Sequence, residues 1–189
     1  MFLILKNKGI KMKHYVEITI LDTDNKNHIL SKLYSNVHGF INNKNIGVSF
    51  PNYNNKNLGN KIRIFSNTKN KLDNFKFSEA LSDYVQCTKI LNTPDNVKKY
   101  CIYKKVNLKQ NKDYLVKRCS KRKGISLNDA YELYCDFAFQ HSSSPYITLK
   151  SKSTGKNFRI YINKIPTNNL NFNNYSNYGL SNDSCVPEF

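Results

Sequence analysis

The sequence predicts an α+β protein. Short segments alternate apolar and polar residues, longer ones repeat apolar residues every three or four positions, and the two kinds follow in the order strand, helix, strand, strand, helix, strand. Residues 14–21, HYVEITIL, alternate cleanly, as a half-buried strand does. In 27–41, Leu30, Leu33, Tyr34, Val37 and Ile41 fall at helical spacing and predict an amphipathic helix that Gly39 can end. Residues 46–50 form a short strand closed by Pro51, and 61–66, KIRIFS, alternate again after an Asn-rich loop. Apolar residues at 72, 75, 77, 81 and 84 predict one broken helix or two short ones, and 85–91 supply the fourth strand. This βαββαβ order is the ferredoxin-like one, a frame shared by many RNA-binding domains and by many proteins of other function.

The pattern breaks at Asn92-Thr93-Pro94-Asp95, so the ferredoxin-like domain is expected over 12–94 and a second α+β domain over 95–189. Residues 1–11 precede a second methionine, Met12, and read as an extension outside the fold. In the second part, 100–108 reads as a strand and 112–123, KDYLVKRCSKRK, as a helix. That helix sets Leu115 and Cys119 on one side and Lys117, Arg118, Lys121 and Arg122 on another. Gly124 is a natural C-cap, and Ser126 with Asp129 signals the start of a further helix through about residue 139.

The chain has 189 residues, 39% hydrophobic and 13% aromatic, which suits a folded protein and excludes a disordered polycation. A net charge of +17 opposes compaction unless an anionic partner uses it, and nucleic acid or an anionic membrane surface would do so. Phe2-Leu3-Ile4-Leu5 is too short for a membrane span or a signal h-region. The five cysteines, odd in number and without a C-x-x-C pair, read as reduced thiols of a cytoplasmic protein, and no metal or cofactor is called for.

One stretch is too particular for ordinary turn chemistry. In 145–162, β-rich runs at 146–149 and 158–162 flank Lys150-Ser151-Lys152-Ser153-Thr154-Gly155-Lys156, which offers hydroxyls, ammonium groups and a glycine free to take positive φ. Such a turn suits a phosphate or ribose; it also reads as a lysine-decorated β-turn exposed to solvent.

HYVEITI after a methionine, the helix bearing His38, IGVSFP, Leu-Gly before Arg63-Ile64, the Lys/Arg-rich helix, SKSTGKNFR, YGLS and the terminal Val-Pro-x-Phe resemble the CRISPR-associated endoribonuclease of type I-F systems, the Csy-four type of the Cas-six family. The resemblance runs in order from Met12 to Phe189. It implies cutting of the precursor transcript at the 3′ base of a repeat hairpin without a metal ion, and retention of the product. The 2′-hydroxyl upstream of the scissile phosphate would attack, leaving a 2′,3′-cyclic phosphate.

Carried onto this sequence, the resemblance makes His38 the catalytic histidine, Ser151 the ribose-positioning serine and Tyr178 the histidine-orienting tyrosine. These types suit the reaction, because an imidazole moves protons near neutral pH and a hydroxyl can hold a ribose. Phe158 would stack on the base pair that closes the stem, with Ser153 in the same turn touching RNA. Lys117, Arg118, Lys121 and Arg122 would enter the hairpin groove. Lys105 and Asn107 fall where the family reads lower-stem bases with arginine and glutamine. His14, His28 and His141 are given no role. The implied partners are the CRISPR repeat hairpin and the other Cas subunits of the type I-F surveillance complex, with no membrane. A catalytically silent hairpin-binding relative and a basic ribosomal-type or RNA-recognition domain are the alternatives, and His38, Ser151 and Tyr178 together argue against both.

Overall fold

The computed structural model describes residues 12–189 except 43, 110 and 152, so the expected extension at 1–11 and Lys152 of the polar turn lie outside the described residues. The strands are β1 (His14–Ile20), β2 (Gly47–Ser49), β3 (Lys61–Ser66), β4 (Val85–Cys87), β5 (Leu91–Asn92), β6 (Lys99–Val106), β7 (Tyr146–Lys150), β8 (Asn157–Thr167) and β9 (Val186–Glu188). The helices are α1 (Lys26–Ile41), α2 (Lys112–Lys123) and α3 (Leu127–Glu132). The protein is α+β, and its contacts group it into two units: one runs through Lys105 and resumes over Ser144–Phe189, and the other is Val106–Ser143. No helix among the described residues is long and apolar enough to cross a membrane.

In the larger unit the first sheet has the order β2-β3-β1-β4, antiparallel throughout, with β5 also on β1. Alternation on β1 buries Val16, Ile18 and Ile20, and register sets Val16 opposite Ile64 and Ile18 opposite Ile62. Helix α1 buries Ile29, Leu30, Leu33, Tyr34, Val37 and Ile41, a stripe repeating every three or four residues, in the same core. Each such side chain contributes about 1.5–3 kcal/mol when fully buried. The second sheet, β7-β8-β6-β9, adds Cys101, Tyr103, Ile147, Leu149, Ile160, Ile162 and Val186 to that core.

Several expected elements form differently. Gly39 does not end α1, which continues to Ile41; Ile41 is buried and Phe40 packs edge-on against Phe75, so tertiary contacts hold the last turn. Over 70–84 the chain makes 3-10 turns at Lys69–Lys71 and Glu79–Leu81 in place of α-helix. The apolar pairs 72/75 and 81/84 are three apart, the 3-10 repeat, and backbone bonds run from Phe75 N–H to Leu72 and from Tyr84 N–H to Leu81. The strand expected over 85–91 is interrupted: β4 and β5 both pair with β1, while between them the Thr88 N–H bonds to Glu17 O and the Thr88 hydroxyl accepts from Glu17 N. Helix α3 stops at Glu132, well short of 139, and gives way to three-residue turns through Phe137.

Glu17 organises the polar face of β1. Its carboxylate takes Lys61 Nζ at 2.8 Å and Arg63 Nε at 2.7 Å, Arg63 being its cross-strand partner. Burial alone would raise the Glu17 pKa; hydrogen bonds and charge from Lys61 and Arg63 more than reverse this and hold it below the ordinary 4.5. A depressed carboxyl contributes stability that is complete above the unfolded value and is lost as pH falls through the folded one. Glu17→Gln is expected to cost about 1.5 kcal/mol or more at pH 7, as charged hydrogen bonds do. It should also flatten the stability loss below about pH 4.5. Urea titrations from pH 7 to pH 3 check both, and an unchanged acid limb would show that the clasp does not set it.

Candidate active site

The last turns of α1 carry two side chains four residues apart on one face, Tyr34 and His38, and each meets one of two consecutive carbonyls. The fully buried Tyr34 donates its hydroxyl to Tyr178 O at 2.5 Å. His38 Nδ1 lies 2.8 Å from Asn177 O. A carbonyl only accepts, so Nδ1 carries the proton, and in the neutral ring the Nε2 lone pair is free to take one. The Tyr178 ring stacks on the imidazole with centroids 4.4 Å apart and planes 13° from parallel. Lys105 Nζ lies 5.4 Å from the centre of the Tyr178 ring. Burial, helped by the nearby Tyr178, pushes the Tyr34 phenol far above its ordinary value, so it stays a donor.

The loop that presents these carbonyls is held at several points. Val48 N–H bonds to Gly179 O and Gly179 N–H to Ser176 O. Gly179 has φ +68° and packs so closely on Val48 that a Cβ there would collide with it. The Tyr175 hydroxyl donates to Cys185 O, and Ser181 Oγ donates to Asn174 O at 2.6 Å. The His38–Tyr178 stack is therefore mounted on a tightly tied turn.

Ser151 and Ser153 occupy the turn joining β7 to β8. Ser151 N–H bonds to Lys156 O, Gly155 N–H returns to Ser151 O, and Gly155 takes φ +66°. Ser151 Oγ lies 3.1 Å from Ser153 Oγ and accepts from Thr154 N at 3.3 Å. Phe158, opposite Leu149, is half-buried against the core. On the outer edge of β7, Thr148 N–H reaches Ser31 Oγ of α1 at 3.3 Å. His38, Tyr178 and Lys105 thus come together, while Ser151 and Ser153 pair with each other in their own turn.

Asn107, Lys117, Arg118, Lys121 and Arg122 belong to the smaller unit. Asn111 caps α2 by accepting from Tyr114 N, and Gly124 closes it at φ +66°. Val116 and Cys119, with Ala130 of α3, are buried; Val116 takes the inward place expected for Leu115, which stays half-buried. Lys117, Arg118, Lys121 and Arg122 are all exposed. Ser126 caps α3 through Asp129 N, as its position predicts. All five cysteines are free, and among the described residues no cluster of three or more His, Cys, Asp or Glu could hold a metal ion.

Sequence reading missed three positioning groups: Tyr34, the Asn177 carbonyl and Gly179. Tyr34 was assigned to the apolar stripe, and its place one helical turn before His38 is the signal that could have found it. A backbone carbonyl has no side-chain signature.

Fold and site together describe a strongly basic α+β protein with a candidate acid–base centre. The model of the family described as CRISPR-associated protein (Cas_Csy4) matches residues 15–189, and the chain belongs to that family. The CRISPR-associated endonuclease Cas6/Csy4 of Escherichia coli (strain UTI89 / UPEC) is 26% identical to it over 190 residues, which cover 94% of this chain and 100% of the relative. The protein of the same name from Pseudomonas aeruginosa (strain UCBPP-PA14) is 27% identical over 188 residues, with 94% and 100% covered.

In nitrogen NMR spectra the neutral His38 ring is expected as the Nδ1–H tautomer, since Asn177 O accepts from that nitrogen. Gly179→Ala should erode this preference and lower stability by about 1–3 kcal/mol, the cost of a strained backbone position. An Nε2–H tautomer in the unaltered protein would contradict the assignment.

Proposed function

We propose that this chain cuts precursor CRISPR RNA at the 3′ base of the repeat hairpin, without a metal ion, and stays bound to the product. It is an endoribonuclease of the Csy4 type. The observation that carries the finer reading is the His38 ring, oriented through Nδ1 by the Asn177 carbonyl and stacked on Tyr178, with Nε2 left as the proton acceptor. Neutral His38 takes the proton of the 2′-hydroxyl as that oxygen bonds to phosphorus. The bond from phosphorus to the 5′-oxygen then breaks, and the imidazolium can return a proton to the leaving oxygen. The products are a 2′,3′-cyclic phosphate and a 5′-hydroxyl.

Ser151 holds the ribose, Ser153 assists in the same turn, and Phe158 stacks on the base pair that closes the stem. Lys105 and Asn107 read the lower stem with lysine and asparagine where the family has arginine and glutamine, so more of the recognition falls on the groove helix. Lys105 beside the Tyr178 ring supports a cut at the stem base, because a lower-stem reader then adjoins the reacting group. Lys117, Arg118, Lys121 and Arg122 enter the groove, which a short hairpin opens enough to admit a helix. The N-terminal region, 12–94, is a ferredoxin-like domain, a reading supported by the β4-β1-β3-β2 order. Its second helix is reduced to two 3-10 turns. The region 95–189 serves the hairpin. The protein works in the cytoplasm with the other Cas subunits of the type I-F complex, and its five free cysteines suit a reducing compartment.

Purified protein is expected to cut a hairpin repeat RNA once in the presence of chelator, and to bind without cutting when the nucleotide upstream of the cut is 2′-deoxy. His38→Ala should slow cleavage by about 10²–10⁴-fold, the range for a lost proton-transfer group, at unchanged affinity. Cleavage of the deoxy substrate, or a need for magnesium, would overturn the mechanism.

Arg118→Ala with Arg122→Ala is expected to weaken hairpin binding and to lower its slope against log salt by about 1.4–1.8, near 0.7–0.9 per lost phosphate contact. An unchanged slope would place these side chains away from RNA. The same titrations with the two lower-stem base pairs exchanged test Lys105 and Asn107: rejection beyond a hundredfold would mean that other residues read the stem.

A further inference from the structure

The hairpin that bears Ser151 has a second, outward face with no role in the proposed chemistry. Register sets Tyr146 opposite Tyr161, Thr148 opposite Arg159 and Lys150 opposite Asn157 on that face, while Ile147, Leu149 and Ile160 point into the core. Tyr146 is 44% exposed. Its ring lies 5.3 Å from that of Tyr161 and 4.4 Å from the Arg159 guanidinium. Tyr146 and Arg159 are exposed and Tyr161 is half-buried, so the two rings and the guanidinium form a contiguous patch of the kind that marks an interaction site.

Charge selects the occupant. Neither Arg159 nor Lys150 has an ion-pair partner among the described residues, where the ion pairs join Lys61 and Arg63 to Glu17 and Lys164 to Glu188. From Phe137 to Asn182 the sequence contains no Asp or Glu. A cationic hairpin that carries no carboxylate of its own and presents two tyrosine rings is a combination suited to single-stranded nucleic acid, where bases stack on aromatic and guanidinium planes and phosphates meet cations. A protein partner would need a wider apolar centre than two tyrosines bordered by Thr148, Lys150 and Asn157 supply.

We propose that this strip, Tyr146, Arg159 and Tyr161 with Lys150, binds the unpaired RNA that adjoins the repeat hairpin. The inference rests on the function proposed above, which brings the base of the stem to Ser151. Lys150 and Asn157 flank that turn, and the tyrosine pair lies four residues further along, about 13 Å at 3.3 Å per residue. That distance suits one or two unpaired nucleotides leaving the stem.

The test uses hairpins with a 2′-deoxy nucleotide at the cut, alone or with an unpaired extension of about four nucleotides on the 5′ or the 3′ side, titrated against the full chain. One extension is expected to tighten binding by about fivefold or more, the lower end for one stacked base. Tyr146→Ala with Arg159→Ala should abolish that gain and leave affinity for the bare hairpin unchanged, and Tyr146→Phe should keep it. No gain from either extension, an equal gain in the double variant, or an equal loss on all three RNAs overturns the proposal. An oligouridine of about eight nucleotides separates this inference from the hairpin reading. If the hairpin is neither cut nor preferred, yet oligouridine binding falls in the double variant, the strip stands and the hairpin reading fails. Oligouridine binding indifferent to the double variant counts against the strip alone.

Discussion

The site depends on two hydrogen bonds from one helix to two consecutive carbonyls. Tyr34 and His38 lie one turn apart on α1, so their side chains leave the helix in nearly the same direction, and the loop offers the carbonyls of Tyr178 and Asn177 to them. Tyr34 is fully buried, so losing this bond would leave its hydroxyl unpaired inside the core, at about 1–3 kcal/mol. His38 is half-buried, and its bond selects a tautomer as well as a position. The buried Tyr34 thus supplies one anchor and the half-buried imidazole of His38 the other, and both fail if the helix shifts.

The same helix stabilises the strand that leads to the serine turn. β7 is the edge of its sheet, and an open edge offers unpaired N–H groups to any passing strand. Ser31 of α1 accepts from Thr148 N–H at that edge while donating its own hydroxyl to Asn27 O. Ser31, Tyr34 and His38 follow at three- and four-residue steps, so one helix face contacts both β7 and the 177–178 carbonyls. The imidazole and the hydroxyl-bearing turn are far apart in sequence, yet both are referred to one rigid element.

This explains what the sequence could show and what it could not. Periodicity identified α1, β1, β3 and α2 because their burial is one-sided and repeats, and Gly124 and Ser126 were legible because caps follow local stereochemistry. Over 70–84 two short helical pieces were legible but their type was not, because apolar residues three apart fit both an α-turn and a 3-10 turn. The fourth strand was drawn whole because nothing in 85–91 announces that Thr88 would bond to Glu17 through its side chain. In the candidate site, the family resemblance pointed to His38 and Tyr178, and the structure stacks their rings on each other. Tyr34 was hidden because a tyrosine at a core position satisfies the apolar pattern without revealing where its hydroxyl goes.

The distribution of charge completes the picture. With 30 basic and 13 acidic side chains, carboxylates are scarce, and two of them serve the fold. Glu17 holds Lys61 and Arg63 across β1 and β3, and Glu188 accepts from Lys164 Nζ and from the Tyr103 hydroxyl, both at 2.7 Å. Arg63 in turn donates to the Phe189 carbonyl at 2.5 Å and lies over its ring, tying that segment to the first sheet. The cations beside these carboxylates are paired within the fold, whereas Lys117, Arg118, Lys121 and Arg122 of α2 and Arg159 of the β7–β8 hairpin are exposed and have no ion-pair partner among the described residues. A carboxylate neutralises cations where β1 and β3 pack, and from Phe137 to Asn182, the stretch that holds the β7–β8 hairpin, the sequence places none.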